Sequence, residues 1–223
     1  MSNWLKYWNS KDKNELLDLL VGDTYGHDPD KRLENIVAGK FYESQNIKKY
    51  LDLNDNDIVV DLGSGCGFIA NHIADFVNQV KCVDISNDFL EYNKKVNQDK
   101  QNIEYVQIEF GNLLSVGEFN KLYATAVFIH FNLYDCFLYL DEIYNNLDDS
   151  GKVVFDVLNI KHLDVNSAKW KRYVNNYKND RTKMFKYTYY HNPTDIINIA
   201  EKIGYTVLSH FDENDHTFFI LEK

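Results

Sequence analysis

The stretch Val59-Val60-Asp61-Leu62-Gly63-Ser64-Gly65-Cys66-Gly67-Phe68 decides the fold. Ile58-Val59-Val60 is a short β-branched run of the kind that fills a buried strand. Three alternating glycines follow, which let the chain turn sharply and bring its backbone close to a ligand. Residues 68–78 then have the texture of a helix. The first N–H groups of a helix have no partner inside it and are free to meet a ligand. A strand, a glycine turn and a helix in this order form the ligand-binding edge of a doubly wound sheet, beyond the carboxyl ends of its strands.

Downstream, short apolar runs alternate with longer amphipathic stretches. Strands are expected over 80–85, 103–108, 121–129 and 152–158, and helices over 88–98 and from Asn132 onward. Asn132 is a candidate N-cap, and Leu133, Phe137, Leu140, Tyr144 and Leu147 fall on one face of its helix. Asp148-Asp149-Ser150-Gly151 is expected to end that helix. Residues 194–203 form a further helix stopped by Gly204. Two runs, 205–211 and 217–221, flank a short polar link, as in an antiparallel hairpin. Upstream, residues 1–56 read as helical, broken by a turn-prone segment over 22–29. Leu33, Ile36, Val37, Phe41, Ser44, Ile47 and Leu51 recur there at helical spacing. The fold class is therefore α/β: a three-layer α/β/α sandwich on a seven-stranded, mostly parallel sheet with an antiparallel last strand.

Asp61-x-Gly63-x-Gly65-x-Gly67 resembles the first motif of the class I S-adenosylmethionine-dependent methyltransferases of small-molecule type. Asp84 follows Gly67 by 17 residues, at the end of the next strand. The resemblance implies S-adenosyl-L-methionine as cofactor, held by Asp61, Gly63, Ser64, Gly65 and Gly67. Asp84 would accept hydrogen bonds from both ribose hydroxyls, with Ile85 beside it. Gly111-Asn112-Leu113 stands where the family usually has an Asp for the adenine amino group, and the Asn112 amide oxygen can accept the same bond. Thr125 lies in a segment similar to the family's fourth motif. The resemblance further implies the strand order 3-2-1-4-5-7-6. It divides the chain into a helical cap over the site (1–56) and a cofactor-binding domain (57–223) with a substrate-side insertion at about 160–192.

Three other readings fit the glycines. Gly65-Cys66-Gly67-Phe68-Ile69-Ala70 matches the G-x-G-x-x-A fingerprint of a nicotinamide-binding oxidoreductase. Against it, Gly63-Ser64 intervenes between strand and fingerprint, and the chain has no room for a separate substrate domain. The glycines can also form a plain strand–helix turn. A third alternative keeps cofactor binding without turnover, in a module acting through a partner protein.

For the acceptor side, His130 directly follows the fourth strand. It is a candidate general base, or else a surface residue beside the next helix. Tyr25 is a second catalytic candidate and His27 a substrate contact, both in the turn-prone N-terminal segment. Asp156, in the fifth strand, is a candidate buried acid near the acceptor. Cys66 sits in the glycine loop with nothing nearby in sequence to activate it.

Charge narrows the partners. The net charge is −10, which disfavours nucleic acid. Residues 161–186 hold eight basic and two acidic side chains, a net of +6, leaving −16 for the rest. That segment, with Lys171, Arg172, Trp170, Tyr173 and Tyr177, suits an anionic small acceptor, or else is a solvated face offsetting the acidic body. The three cysteines form no metal- or disulfide-like pattern, so no metal is expected. No apolar run reaches membrane-spanning length. The expectation is a cytoplasmic monomer or homodimer methylating an oxygen or nitrogen of a small, phosphorylated or sugar-linked metabolite.

Overall fold

The computed structural model describes residues 29–179 and 188–223. Helix α1 (Pro29–Leu51) leads into β1 (Ile58–Leu62), α2 (Phe68–Ile73), β2 (Gln79–Asp84), α3 (Asn87–Val96) and β3 (Ile103–Gln107). There follow β4 (Phe119–Ala124), α4 (Leu133–Asn146), β5 (Leu147–Asn159) and α5 (Ala168–Asn179). The described chain closes with β6 (Tyr190–His191), α6 (Pro193–Ile203), β7 (Thr206–Glu213) and β8 (His216–Glu222). The strands form one sheet in the order β3-β2-β1-β4-β5-β8-β7, and β6 pairs with β5 off that path. β1 to β6 run parallel, whereas β8 pairs antiparallel with both β5 and β7. This is the expected doubly wound sandwich. The two-residue β6, too short for a sequence signal, makes the eighth strand.

Both faces of the sheet are buried, as a parallel sheet requires. Val60 and Leu62 of β1 point to the side covered by α4 and α6, where Leu140, Ile143 and Ile196 join them. Val59 points to the other side, against Ile47 and Leu51 of α1, Ile69 and Ile73 of α2, and Leu90 of α3. β1 therefore shows no apolar–polar alternation, because both sets of side chains leave water. Asn132 caps α4 as expected. Its side-chain oxygen accepts from the N–H groups of Tyr134 (2.9 Å) and Asp135 (3.2 Å), and the Asp135 carboxylate accepts from the Asn132 N–H.

Several boundaries differ from expectation. β4 ends at Ala124 and not at 129, because Ala126 takes a left-handed conformation (φ 57°) and residues 128–130 form a 3-10 turn. α2 stops at Ile73, well short of 78. Asp148-Asp149-Ser150-Gly151 lies inside β5, since Leu147 already pairs with Phe119. Two overlapping apolar stripes run along α4. The sheet takes Cys136, Tyr139, Leu140 and Ile143, and leaves Leu133 and Phe137 exposed.

Candidate active site

The carboxyl ends of β1, β2, β4 and β5 open onto one cleft of about 900 Å3. Residues 63–67 cross its floor. Gly63, Gly65 and Gly67 all have positive φ (69°, 49° and 76°). At Gly63 a Cβ would run into the Val127 side chain, so the position excludes any larger residue twice over. The turn is pinned from below by the Val83 carbonyl, which accepts from the N–H groups of Gly63 (2.8 Å) and Ser64 (3.1 Å). Two buried asparagines of the α3 region hold it from behind. Asn93 donates to the Ser64 hydroxyl (3.3 Å), and Asn97 donates to the Gly67 carbonyl (3.2 Å) and to the Asn93 side chain (2.7 Å).

Asp84 ends β2 against this turn. One carboxylate oxygen accepts from the Gly65 N–H (3.0 Å) and the other from the Ser86 N–H (2.8 Å). Each oxygen retains acceptor capacity, and Asp84 lines the cleft. Burial raises its pKa to about 6, against the lowering effect of the Ser86, Gly65 and Ile85 amides. Asp61 is also buried. Burial drives its pKa to about 7, with the Asp84 charge adding to the rise and the Tyr123 phenol opposing it. Two buried carboxylates at the end of adjacent strands suit a ligand that brings hydroxyl donors and positive charge. S-adenosylmethionine carries both, in its ribose and in its sulfonium and ammonium groups. Ile85, Ile108 and Phe110 supply an apolar wall next to Asp84. The residues present therefore fit the cofactor.

Of the remaining expected cofactor residues, Thr125 lines the cleft, but Asn112 and Leu113 do not. Asn112 is exposed, and its side-chain oxygen accepts from the Leu114 N–H (3.1 Å), which starts a short 3-10 turn. Leu113 is fully buried in the core. An Asn in a glycine-containing turn has this local use available, and it takes it here. His130 lines the cleft from the 3-10 turn after β4. Tyr25 and His27 lie outside the described residues. Lys171 and Arg172 are exposed on α5 and turned away from the cleft; Lys171 borders a separate shallow recess beside Trp170. The same helix instead presents Lys169 and Tyr173 to the cleft.

Asn93 and Asn97 carry no signal in the sequence, being ordinary residues of a helix and its end until the turn is folded against them. Nor does the sequence show that His216 of β8 sits beside Asp156, with its Nδ1 2.6 Å from the carboxylate, both residues lining the cleft. Their pairing depends on the β5–β8 register, which no local pattern encodes. Among the described residues no group of three His, Cys, Asp or Glu is placed to hold a metal ion, and no helix is long and apolar enough to cross a membrane.

Comparison with known proteins agrees with this geometry. A family model described as a methyltransferase domain matches residues 59–151. A probable fatty acid methyltransferase of Pseudomonas putida is 22% identical over 151 residues, which cover 66% of this chain and 38% of that protein. The chain thus spans well under half the length of that curated relative. Among solved structures, magnesium protoporphyrin IX methyltransferase from Synechocystis PCC 6803 with bound S-adenosylhomocysteine superposes with a TM-score of 0.69 at 14% identity. The match covers 98% of this chain and 97% of that one. An N-methyltransferase of Bradyrhizobium japonicum in complex with S-adenosylhomocysteine gives 0.66 at 10% identity, over 100% and 99% of the two chains. Human N-acetylserotonin methyltransferase in complex with S-adenosylmethionine gives 0.68 at 14%, over 100% of this chain and 60% of that one. Such structural likeness speaks for the fold, and the family match over the glycine motif for the chemistry. The chain thus has the fold of these S-adenosylmethionine-dependent methyltransferases, and its glycine cleft lies within the residues, 59–151, that match a methyltransferase domain.

Proposed function

We propose that the chain methylates an oxygen or nitrogen of a small anionic acceptor. One observation carries this reading. One cleft is lined both by the glycine turn with Asp61 and Asp84 and by His130, Lys169, Tyr173 and the Asp156–His216 pair. The cofactor supplies an electrophilic methyl group on a sulfonium when bound. The chain's residues do the rest. Asp84 accepts the ribose hydroxyls, and the backbone of residues 63–67 takes the rest of the cofactor close to the strand ends. Lys169 places a cation where an acceptor's phosphate or carboxylate would lie. Its ammonium stands 5.9 Å from the Tyr173 ring, which favours keeping it over the cleft. The helical segment before β1 acts as a cap: Lys40, Glu43, Asn46 and Tyr50 of α1 border the cleft.

The test is a screen of phosphorylated metabolites, sugar phosphates, hydroxy acids and fatty acids, the last because of the relative's described substrate. S-adenosylhomocysteine formation is the readout. Turnover confined to anionic compounds is the expected result. Turnover of neutral or cationic compounds alone contradicts the acceptor class. Cofactor binding with no turnover of any class would make the chain a binding module instead.

A further inference from the structure

We propose that His216 is the general base of this methyltransferase and that Asp156 is the residue that positions it. The inference rests on the methyl-transfer reading and narrows it: the acceptor arrives carrying a proton on its nucleophilic atom, as a hydroxyl or an ammonium does.

The geometry is that of an oriented imidazole. In the antiparallel β5–β8 pair, Asp156 stands opposite Phe218 and Leu158 opposite His216, so Asp156 and His216 are diagonal neighbours on one face. Asp156 is buried, and both of its oxygens are engaged. One accepts from the Ala126 N–H at 2.7 Å, and the other meets His216 Nδ1 at 2.6 Å. An ionised carboxylate can only accept, so Nδ1 carries the proton of this bond and Nε2 keeps its lone pair in the neutral ring. The hairpin holding His216 is tied to β5. The Asn159 N–H donates to the Asp215 carbonyl at 2.9 Å, and the Asn159 amide donates to the Thr217 hydroxyl at 3.0 Å. The imidazole therefore has a fixed tautomer and a fixed support, and it lines the same cleft as the glycine turn.

The charges around it favour a proton. Asp156 faces it from β5, Asp215 from the β7–β8 turn with an oxygen 3.5 Å from Nε2, and Glu43 from α1, itself bridged to Lys40 at 2.7 Å. Lys169 and Tyr173 of α5 border the cleft as well, and the Phe218 ring lies 6.5 Å away. Burial lowers the imidazole pKa, but the Asp156 hydrogen bond and charge, helped by Asp215 and Glu43, leave it above the ordinary histidine value. In the proposed step the acceptor's lone pair forms the new bond to the methyl carbon. The carbon–sulfur electron pair goes to sulfur, and the acceptor's proton passes to Nε2. The resulting imidazolium is stabilised by Asp156 and later returns the proton to water.

The experiment compares the full chain with its His216→Gln, Asp156→Asn and His130→Gln variants. Asp156→Asn keeps an oxygen for the Ala126 N–H but no longer accepts from Nδ1. Three quantities are read: S-adenosylhomocysteine affinity by calorimetry, the His216 pKa by NMR titration, and turnover against pH. Turnover is measured on anionic compounds whose only methylatable atom is a hydroxyl, an amine or a carboxylate. The expected result is unchanged S-adenosylhomocysteine affinity in all variants and a His216 pKa that falls in Asp156→Asn. Hydroxyl or amine turnover should drop about a hundredfold or more in His216→Gln. The rate should rise with pH through the His216 pKa, and that limb should move to lower pH in Asp156→Asn. His130→Gln should keep the limb, whatever its rate. Turnover of carboxylates alone, which need no base, overturns the proposal. So does an unaltered pH profile in His216→Gln, or a His216 pKa indifferent to Asp156→Asn. Loss of S-adenosylhomocysteine binding by the wild-type chain would strike the cofactor reading instead of the base.

Discussion

Gly63 and Asp84 are where single residues bear most on the account. Gly63 has a left-handed backbone (φ 69°) and faces Val127 at its bare Cα. Gly63→Ala should destabilise the fold by about 1–3 kcal/mol, because a side chain is both strained there and crowded. It should also weaken S-adenosylhomocysteine binding; denaturant titration and calorimetry would measure the two effects. If Asp84 accepts both ribose hydroxyls as proposed, Asp84→Ala removes two charge-assisted hydrogen bonds, each worth roughly 1.5–3 kcal/mol, and affinity should fall by about a hundredfold or more. The wild-type pH profile carries a further sign. The Asp84 pKa stands at about 6, so its carboxylate is protonated below that pH and can no longer accept both hydroxyls. Affinity measured by calorimetry should be level about a unit or more above that pH and decline as pH falls through about 6. A constant affinity down to pH 5 would mean that Asp84 does not serve the ribose.

Among the elements, α5 is the one whose role the sequence left most open. None of its residues is buried, in keeping with a solvated face, yet Lys169 and Tyr173 turn toward the cleft. Lys169→Glu should raise the acceptor Michaelis constant about tenfold or more at low salt and leave cofactor affinity unchanged, with added salt narrowing the difference. Lys171→Glu and Arg172→Glu, which reverse charge on the outer face, should have far less effect. Equal effects at all three positions would make the segment a diffuse electrostatic field and not a contact. The elements also show what could be read in advance. β1, the glycine turn and Asp84 were legible because their signals are local: an apolar run, alternating glycines, an acid one strand later. Asn132 was legible for the same reason, since a cap acts within three residues. The face of α4, the end of β4 and the fate of Asn112 were not. Each is decided by a partner distant in sequence or by a competing local bond. The Asp156–His216 pair is the extreme case, 60 residues apart and joined only by strand register.

At the scale of the whole molecule, the cofactor end sets two buried carboxylates against folding. Asp61 and Asp84 are raised to about 7 and about 6 from a usual value of 3.8. The folded state thus binds more protons than the unfolded chain between about pH 4 and pH 7, and the stability contributed by these groups is lost as pH rises through that window. Asp61→Asn should therefore gain stability relative to wild type as pH rises from 4 to 7, on the order of a few kcal/mol across the range. Thermal unfolding of both proteins at several pH values checks this; parallel curves would mean that Asp61 is not held in its raised state. A ligand that satisfies this end should offset the strain of the two carboxylates. The most direct test is thermal unfolding of the wild-type chain with S-adenosylhomocysteine and, separately, with NAD. At a hundred times its dissociation constant a native-state ligand stabilises by about 2.7 kcal/mol, or roughly 5–10 °C for a chain of this size. A rise of that order with S-adenosylhomocysteine and none with NAD is the predicted result. A rise with NAD and none with S-adenosylhomocysteine would contradict the assignment of the glycine cleft.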